Sequence, residues 1–175
     1  EVMRQRAIPL FTWDTRQPAS EADFFAVSLQ YELGFTNFLA LLDLAGIPLR
    51  AAERDDRHPL VIVGGPQADN PEPVADFVDL VVIGDGEESM AAILALYKEL
   101  KANGVRRRDM IPIMAERFPW AYAPSHYGVS YHADGTIYEY SSSLKSHRLG
   151  ITPIERCQTL DFENAPFPTR PLLPF

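Results

Sequence analysis

A single cysteine, Cys157, stands in the 175 residues. That excludes an internal disulfide, and it excludes a cubane iron–sulfur site built from this chain alone, since such a site takes several thiolates. Positive charge is outweighed: 16 Lys and Arg against 24 Asp and Glu leave a formal net charge of -8, which repels a phosphate backbone. Nucleic acid is therefore not an expected direct partner. The one basic run, Arg106-Arg107-Arg108, falls between two expected helices and reads as a solvated helix start. Long apolar runs are lacking too, each being broken by Gly, Pro or charge well short of the roughly 20 residues that span a bilayer. Glu1 to Arg6 holds no apolar stretch of the signal-peptide kind, so cytoplasm is the expected location. No Gly-x-Gly-x-x-Gly follows a strand, because Gly84-Asp85-Gly86 runs on to Met90 without a third glycine. That speaks against an independent nucleotide-binding oxidoreductase. Asp14, Glu32 and Asp69 have no evident base or nucleophile beside them, so no triad or paired-acid site is expected.

What the chain does have is a core. Hydrophobic residues make up 46% and aromatics 11%, enough for one α/β domain with an appendage. The start reads as the end of an amphipathic helix preceded by further sequence, and Pro9 turns the chain into a short strand candidate at 10–13. Continuous apolar runs at 24–29, 60–63 and 80–83 have the length and composition of strands covered on both faces. Between and after them lie a helical pattern over 36–45, capped by Thr36 or Asn37 and stopped by Gly46, a short helix at 71–77, and a long helix from Glu87 to Asn103-Gly104. Strand, helix, strand, short helix, strand, helix is the pattern of a parallel sheet with right-handed crossovers. A further helix is expected over 109–118, with Pro112 in its first turn. Beyond Trp120 the period changes: Tyr127, Val129 and Tyr131 alternate, Asp134-Gly135 turns, and Ile137-Tyr138 returns, which predicts a hairpin. Four prolines between residues 164 and 175 predict an extended linker. The boundaries are a parallel α/β domain over 1–118, a hairpin extension over 119–160 and a Pro-rich linker over 161–175.

Ligands of open parallel sheets bind at the carboxyl ends of the strands. Three loops meet there. The first begins at Ser28, the second is Gly64-Gly65-Pro66, and the third is Gly84-Asp85-Gly86-Glu87-Glu88. Glycines after a buried strand either let a flat ligand approach the backbone or serve only as tight turns. Glu87 can orient a ligand hydroxyl or simply favour the helix dipole, which suffices for Glu88. Cys157 lies in a strand-like segment, 154–160, beside Arg156, where a buried structural thiol is the expectation.

Ser28-Leu29 after one strand, Gly64-Gly65-Pro66 after the next, then Asp79-Leu80-Val81-Val82-Ile83-Gly84-Asp85-Gly86-Glu87-Glu88 resembles the accessory domain of cobalamin-type radical-SAM proteins. Ser28 to Leu33 and Leu42 to Arg50 are similar to a subfamily of uncharacterised members with the same two segments, and the likeness extends more loosely to Pro168. The resemblance implies a Rossmann-like (flavodoxin/cobalamin-binding-like) α/β fold, with a parallel sheet, helices on both faces and a C-terminal β-hairpin extension. It implies a non-catalytic domain that binds cobalamin or covers the active site of an adjoining radical-SAM barrel in the same polypeptide. That barrel would carry the Cys-x-x-x-Cys-x-x-Cys loop with its [4Fe-4S] cluster and S-adenosylmethionine. By the same resemblance the cofactor-binding residues are Ser28, Gly64, Gly65, Pro66, Gly84, Gly86 and Glu87. The family's Asp-x-His-x-x-Gly, which gives cobalt an imidazole, is not in this sequence; His58, His126, His132 and His147 stand elsewhere. The alternative is a ligand-free interaction module, in which Gln30, Tyr31 or Phe35 would fill the strand-end crevice.

Overall fold

In a computed structural model that describes residues 2–147 and 153–165, the three apolar runs become strands β1 (Phe24–Ser28), β2 (Leu60–Gly64) and β3 (Leu80–Val82). β1 pairs with β2 in parallel, from Phe24↔Leu60 to Ser28↔Gly64, and β2 pairs with β3 in parallel through Ile62↔Leu80 and Val63↔Val81. All three carboxyl ends therefore lie on one side of the sheet. β4 (Ala121–Tyr122) adds antiparallel to β3. Two residues leave no periodic trace, so β4 was not foreseen from the sequence. The sheet order is β1-β2-β3-β4.

Helices cover both faces, with α1 (Val2–Gln5) at the amino end and no buried residue of its own. α2 (Gly34–Ala45) packs Phe38 and Leu42 against Val61, Val63 and Val81 on one face. On the other, α3 (Gly86–Ala102) and α4 (Arg107–Arg117) bring Ile93, Met110 and Met114 against Leu60, Ile62, Leu80 and Val82. Alternation along β2 sends side chains to both layers, which is why its run is apolar at every position. Beyond the sheet, β5 (Tyr127–Tyr131) and β6 (Ile137–Ser142) form the expected antiparallel hairpin.

Several expectations need correction. β1 is an edge strand, so Ala26 and Ser28 are exposed where cover on both faces was expected. The 10–13 segment forms only an isolated bridge, Phe11↔Pro18, because no neighbouring strand runs beside it. α2 starts two residues early, with Leu33 at its cap and no side-chain cap bond from Thr36 or Asn37. The short helix expected at 71–77 does form, as a 3-10 helix, Glu72–Phe77. α4 starts at Arg107, whose backbone N–H donates to Asp56 Oδ1 at 2.9 Å, and Pro112 consequently lies inside the helix.

Arg107 is the sharpest correction. It is not solvated: Arg107 and Arg54, 8% and 7% exposed, both donate to Oδ2 of the buried Asp79. The same oxygen accepts from Val61 N at 2.8 Å, while Arg54 also reaches the carbonyls of Pro48 and Leu49, and Arg107 reaches that of Pro59. This network ties the loops before β2 and β3 to the start of α4. The expected linker falls mostly on residues 166–175, outside the described residues.

Candidate functional site: the strand-end crevice

Because β1, β2 and β3 point the same way, their following loops converge. Gly65 takes φ +90°, and the second loop folds back on the first: Gln67 N donates to Leu29 O, and Leu29 N to Gly64 O. A Cβ on Gly65 would lie 2.6 Å from Ser28 Oγ and 2.8 Å from Leu29 O. Its glycine is thus required by the chain itself. Gln30 Nε2 donates to Ser28 Oγ at 2.7 Å.

The third loop is crossed by a strap formed from residues 153–160. Cys157 N donates to Ile83 O at 2.9 Å, Asp85 N to Cys157 O at 3.0 Å, and Thr159 N to Asp85 Oδ2 at 2.9 Å. Arg156 Nη1 adds bonds of 2.9 and 2.7 Å to the two oxygens of Asp69. Gly84, at φ +104°, has the strap so close that a Cβ would collide with the Cys157 carbonyl oxygen. The Cys157 thiol is buried, and burial together with Glu88, Asp85 and Glu87 pushes its pKa up. It is a protonated packing group at neutral pH, not a nucleophile.

What the strap leaves is an open crevice of about 380 Å³ on the α3 side of the sheet. Ser28, Gly64, Gly65, Gly84 and Gly86 line it, joined by Ala26, Ile62, Val82 and Met90 among others. Pro66, the first residue of the 3-10 turn Pro66–Asp69, and Glu87, in the first turn of α3, do not line it. Ala26 and Met90 were missed in the sequence because one sits inside a uniformly apolar run and the other inside a helical stripe. Gly64 and Gly86 differ from the other two glycines. A Cβ on Gly86 would meet nothing within 4 Å, and one on Gly64 would make ordinary contact with Val82 O at 3.6 Å. Among the described residues no lining side chain carries charge, and Ser28 supplies the only side-chain hydroxyl. Gln30, Tyr31 and Phe35 do not fill it; Tyr31 is 54% exposed and Phe35 packs on the α2 face.

A cavity of about 440 Å³ lies at the opposite, amino ends of the strands, lined by Asp23, Asp56, His58, Lys101 and Arg106 among others. Its cations are already paired: Lys101 with Asp23, Arg57 with Asp55, Arg106 with Asp109. Size does not make it the better candidate, because the loops and helix starts that a parallel sheet offers to ligands are at the other end.

Residues 1–124 match the family model described as "Radical SAM proteins, N-terminal". The chain belongs to that family. No curated protein and no solved structure matches it. For this radical-SAM N-terminal domain, the donor chemistry decides which of the family's groups its residues suit. A [4Fe-4S] cluster does not fit, since this chain offers a single thiol, Cys157, buried within the strap. Among the described residues no three His, Cys, Asp or Glu side chains gather as a metal site. Cobalamin fits in part. The crevice is floored by glycines and apolar side chains suited to a flat base, but among the described residues no histidine lines it to hold cobalt. His58 borders the amino-end cavity, His126 bonds to Ser143 Oγ, and His132 packs on Tyr138. The side chain of His147 lies outside the described ones.

Proposed function

We propose that this domain serves as the non-catalytic accessory to a radical-SAM barrel in the same polypeptide, and that its strand-end crevice receives a flat, uncharged ligand group. The nucleotide base of cobalamin is the candidate. One observation carries the reading: the crevice stays open and uncharged beside Gly64 and Gly86, whose missing Cβ atoms the chain's own packing does not require. Its volume, about 380 Å³, lies near the low end of the roughly 300–1,000 Å³ of small-molecule sites. That suits the base of the tail and not a whole corrin ring.

In this reading Ser28 Oγ offers a hydrogen bond at the rim, Ile62, Val82 and Met90 give apolar contact, and Gly64 and Gly86 allow close approach. Pro66 and Glu87 shape the loops around the crevice without lining it. Cobalamin would supply cobalt chemistry to the barrel, and the cobalt would take no ligand from the crevice residues of this domain. The [4Fe-4S] cluster and S-adenosylmethionine belong to the barrel. The division proposed with it is the domain at 1–118, the hairpin extension at 119–160 and the linker at 161–175, in a cytoplasmic protein. None of the described helices is long and apolar enough to cross a membrane.

The test is titration with hydroxocobalamin, followed by gel filtration and the visible spectrum of the protein peak. Co-elution near one cobalamin per chain is expected, weakened at least about tenfold by Gly86→Val, a loss of about 1.4 kcal/mol. A colourless peak would sink the cobalamin reading and favour the second one, in which the uncharged crevice seats an apolar side chain of the barrel and the domain covers its active site.

A further inference from the structure

Cross-strand register divides the β5–β6 hairpin into two unlike faces. Tyr127 opposite Ser142, Val129 opposite Tyr140 and Tyr131 opposite Ile137 share one face; Gly128 opposite Ser141 and Ser130 opposite Glu139 share the other. The first is apolar and aromatic, the second small and polar. A sheet with one apolar face is built to bury it, and a two-stranded ribbon is only marginally stable alone. Yet among the described residues the ring contact of this face is at its Tyr127 end, against Tyr122 at 4.8 Å between rings. Val129, Tyr131, Ile137 and Tyr140 remain 40, 63, 47 and 59% exposed.

Area and charge choose the occupant. Four such side chains expose on the order of 400–500 Å², the size at which a patch marks an interaction site. That is about half of the roughly 800 Å² per partner in a standard free-standing complex. A second copy would bury too little and would bring another net charge of -8 to the contact. A tethered partner needs less area, because a short linker holds it at about millimolar effective concentration. We infer that the Val129–Tyr131–Ile137–Tyr140 face is the docking surface for the domain that follows this one in the polypeptide. It meets an apolar patch there that carries hydrogen-bond acceptors for the tyrosine hydroxyls. The inference rests on the reading of this chain as the accessory domain of a larger radical-SAM protein.

The hairpin contains its own control. Tyr138, 66% exposed, is skipped at the irregularity in the strand register and sets its ring edge-on against His132. Hydroxyl-radical footprinting of the whole polypeptide should leave Tyr138 reactive. Tyr131 and Tyr140 should be protected roughly fivefold or more, as rings passing from about 60% exposure to a buried interface. Benzoylphenylalanine installed in place of Tyr140 should photo-cross-link to a peptide beyond residue 175 of the same polypeptide, with a yield independent of protein concentration. Equal labelling of all three tyrosines overturns the inference, as does a cross-link to residues 1–175 or to a second copy. Cobalamin titration of the same protein keeps the two proposals apart: an unprotected hairpin with cobalamin bound defeats the docking surface alone, and a protected hairpin without cobalamin defeats the cofactor reading alone.

Discussion

Four glycines border one crevice and do two different jobs. Gly65 and Gly84 hold φ of +90° and +104° with backbone of Leu29 and Cys157 pressed against the space a Cβ would take. Gly86 heads α3 in open space. Alanine at position 65 or 84 should therefore cost about 1–3 kcal/mol, since an L side chain resists that backbone and, although Ser28 Oγ and the Arg156 stem could move aside, the backbone of Leu29 and Cys157 could not. Gly86→Ala should leave stability within about 0.5 kcal/mol of the parent. Urea denaturation of the three variants checks this. If Gly86→Ala proved as damaging as Gly84→Ala, the division between structural and ligand-facing glycines would be wrong. This division was not legible in the sequence, where all four read alike: what distinguishes them is the segment that approaches, and Cys157 comes from more than 70 residues away.

The elements around Asp79 make a second kind of statement. Its carboxylate faces two guanidiniums and one backbone N–H in a place almost without water. Burial pushes its pKa up, against both arginines, which pull it down. Removing it by Asp79→Ala leaves Arg54 and Arg107 buried without a counter-charge, a loss of about 3–5 kcal/mol. Arg106→Ala, one residue from Arg107 but exposed, should cost no more than about 0.5 kcal/mol. Chemical denaturation of the pair measures the difference; similar midpoints would mean that the network is not what joins α4 to the sheet. Sequence reasoning treated Arg106, Arg107 and Arg108 as one solvated run because neighbours in a helix start share a composition but not a direction. It succeeded where information is local and repeated: the runs at 60–63 and 80–83, the 3.6-residue stripes of α2 and α3, and the Asp134-Gly135 turn. It failed where pairing is between distant residues, at the two-residue β4, at the edge position of β1 and at the strap.

Across the whole molecule, the domain divides by how its parts are held. The sheet and its helices bury two continuous apolar layers. The strap over β3 is held by a few backbone hydrogen bonds and the Arg156–Asp69 pair, both side chains about half exposed, and its Leu160 is 89% exposed. Exposed ion pairs contribute about 0–1 kcal/mol. The strap should therefore open without the core, as a local unit of low stability. Cys157 reports on this directly, because it is the strap residue lodged against Gly84 and the only thiol of these 175 residues. Thiol labelling in native buffer should be slow, set by opening and by a thiol held protonated. It should change little with dilute urea, because opening the strap exposes little surface. Near the unfolding midpoint the rate should turn upward with the full urea dependence of global unfolding. A labelling rate that follows global unfolding at every urea concentration would make the strap part of the core, and the crevice mouth would then be rigid. An early, urea-insensitive phase instead gives the crevice a movable border at Gly84, and cobalamin or a barrel side chain seated there should slow that phase by holding the strap closed.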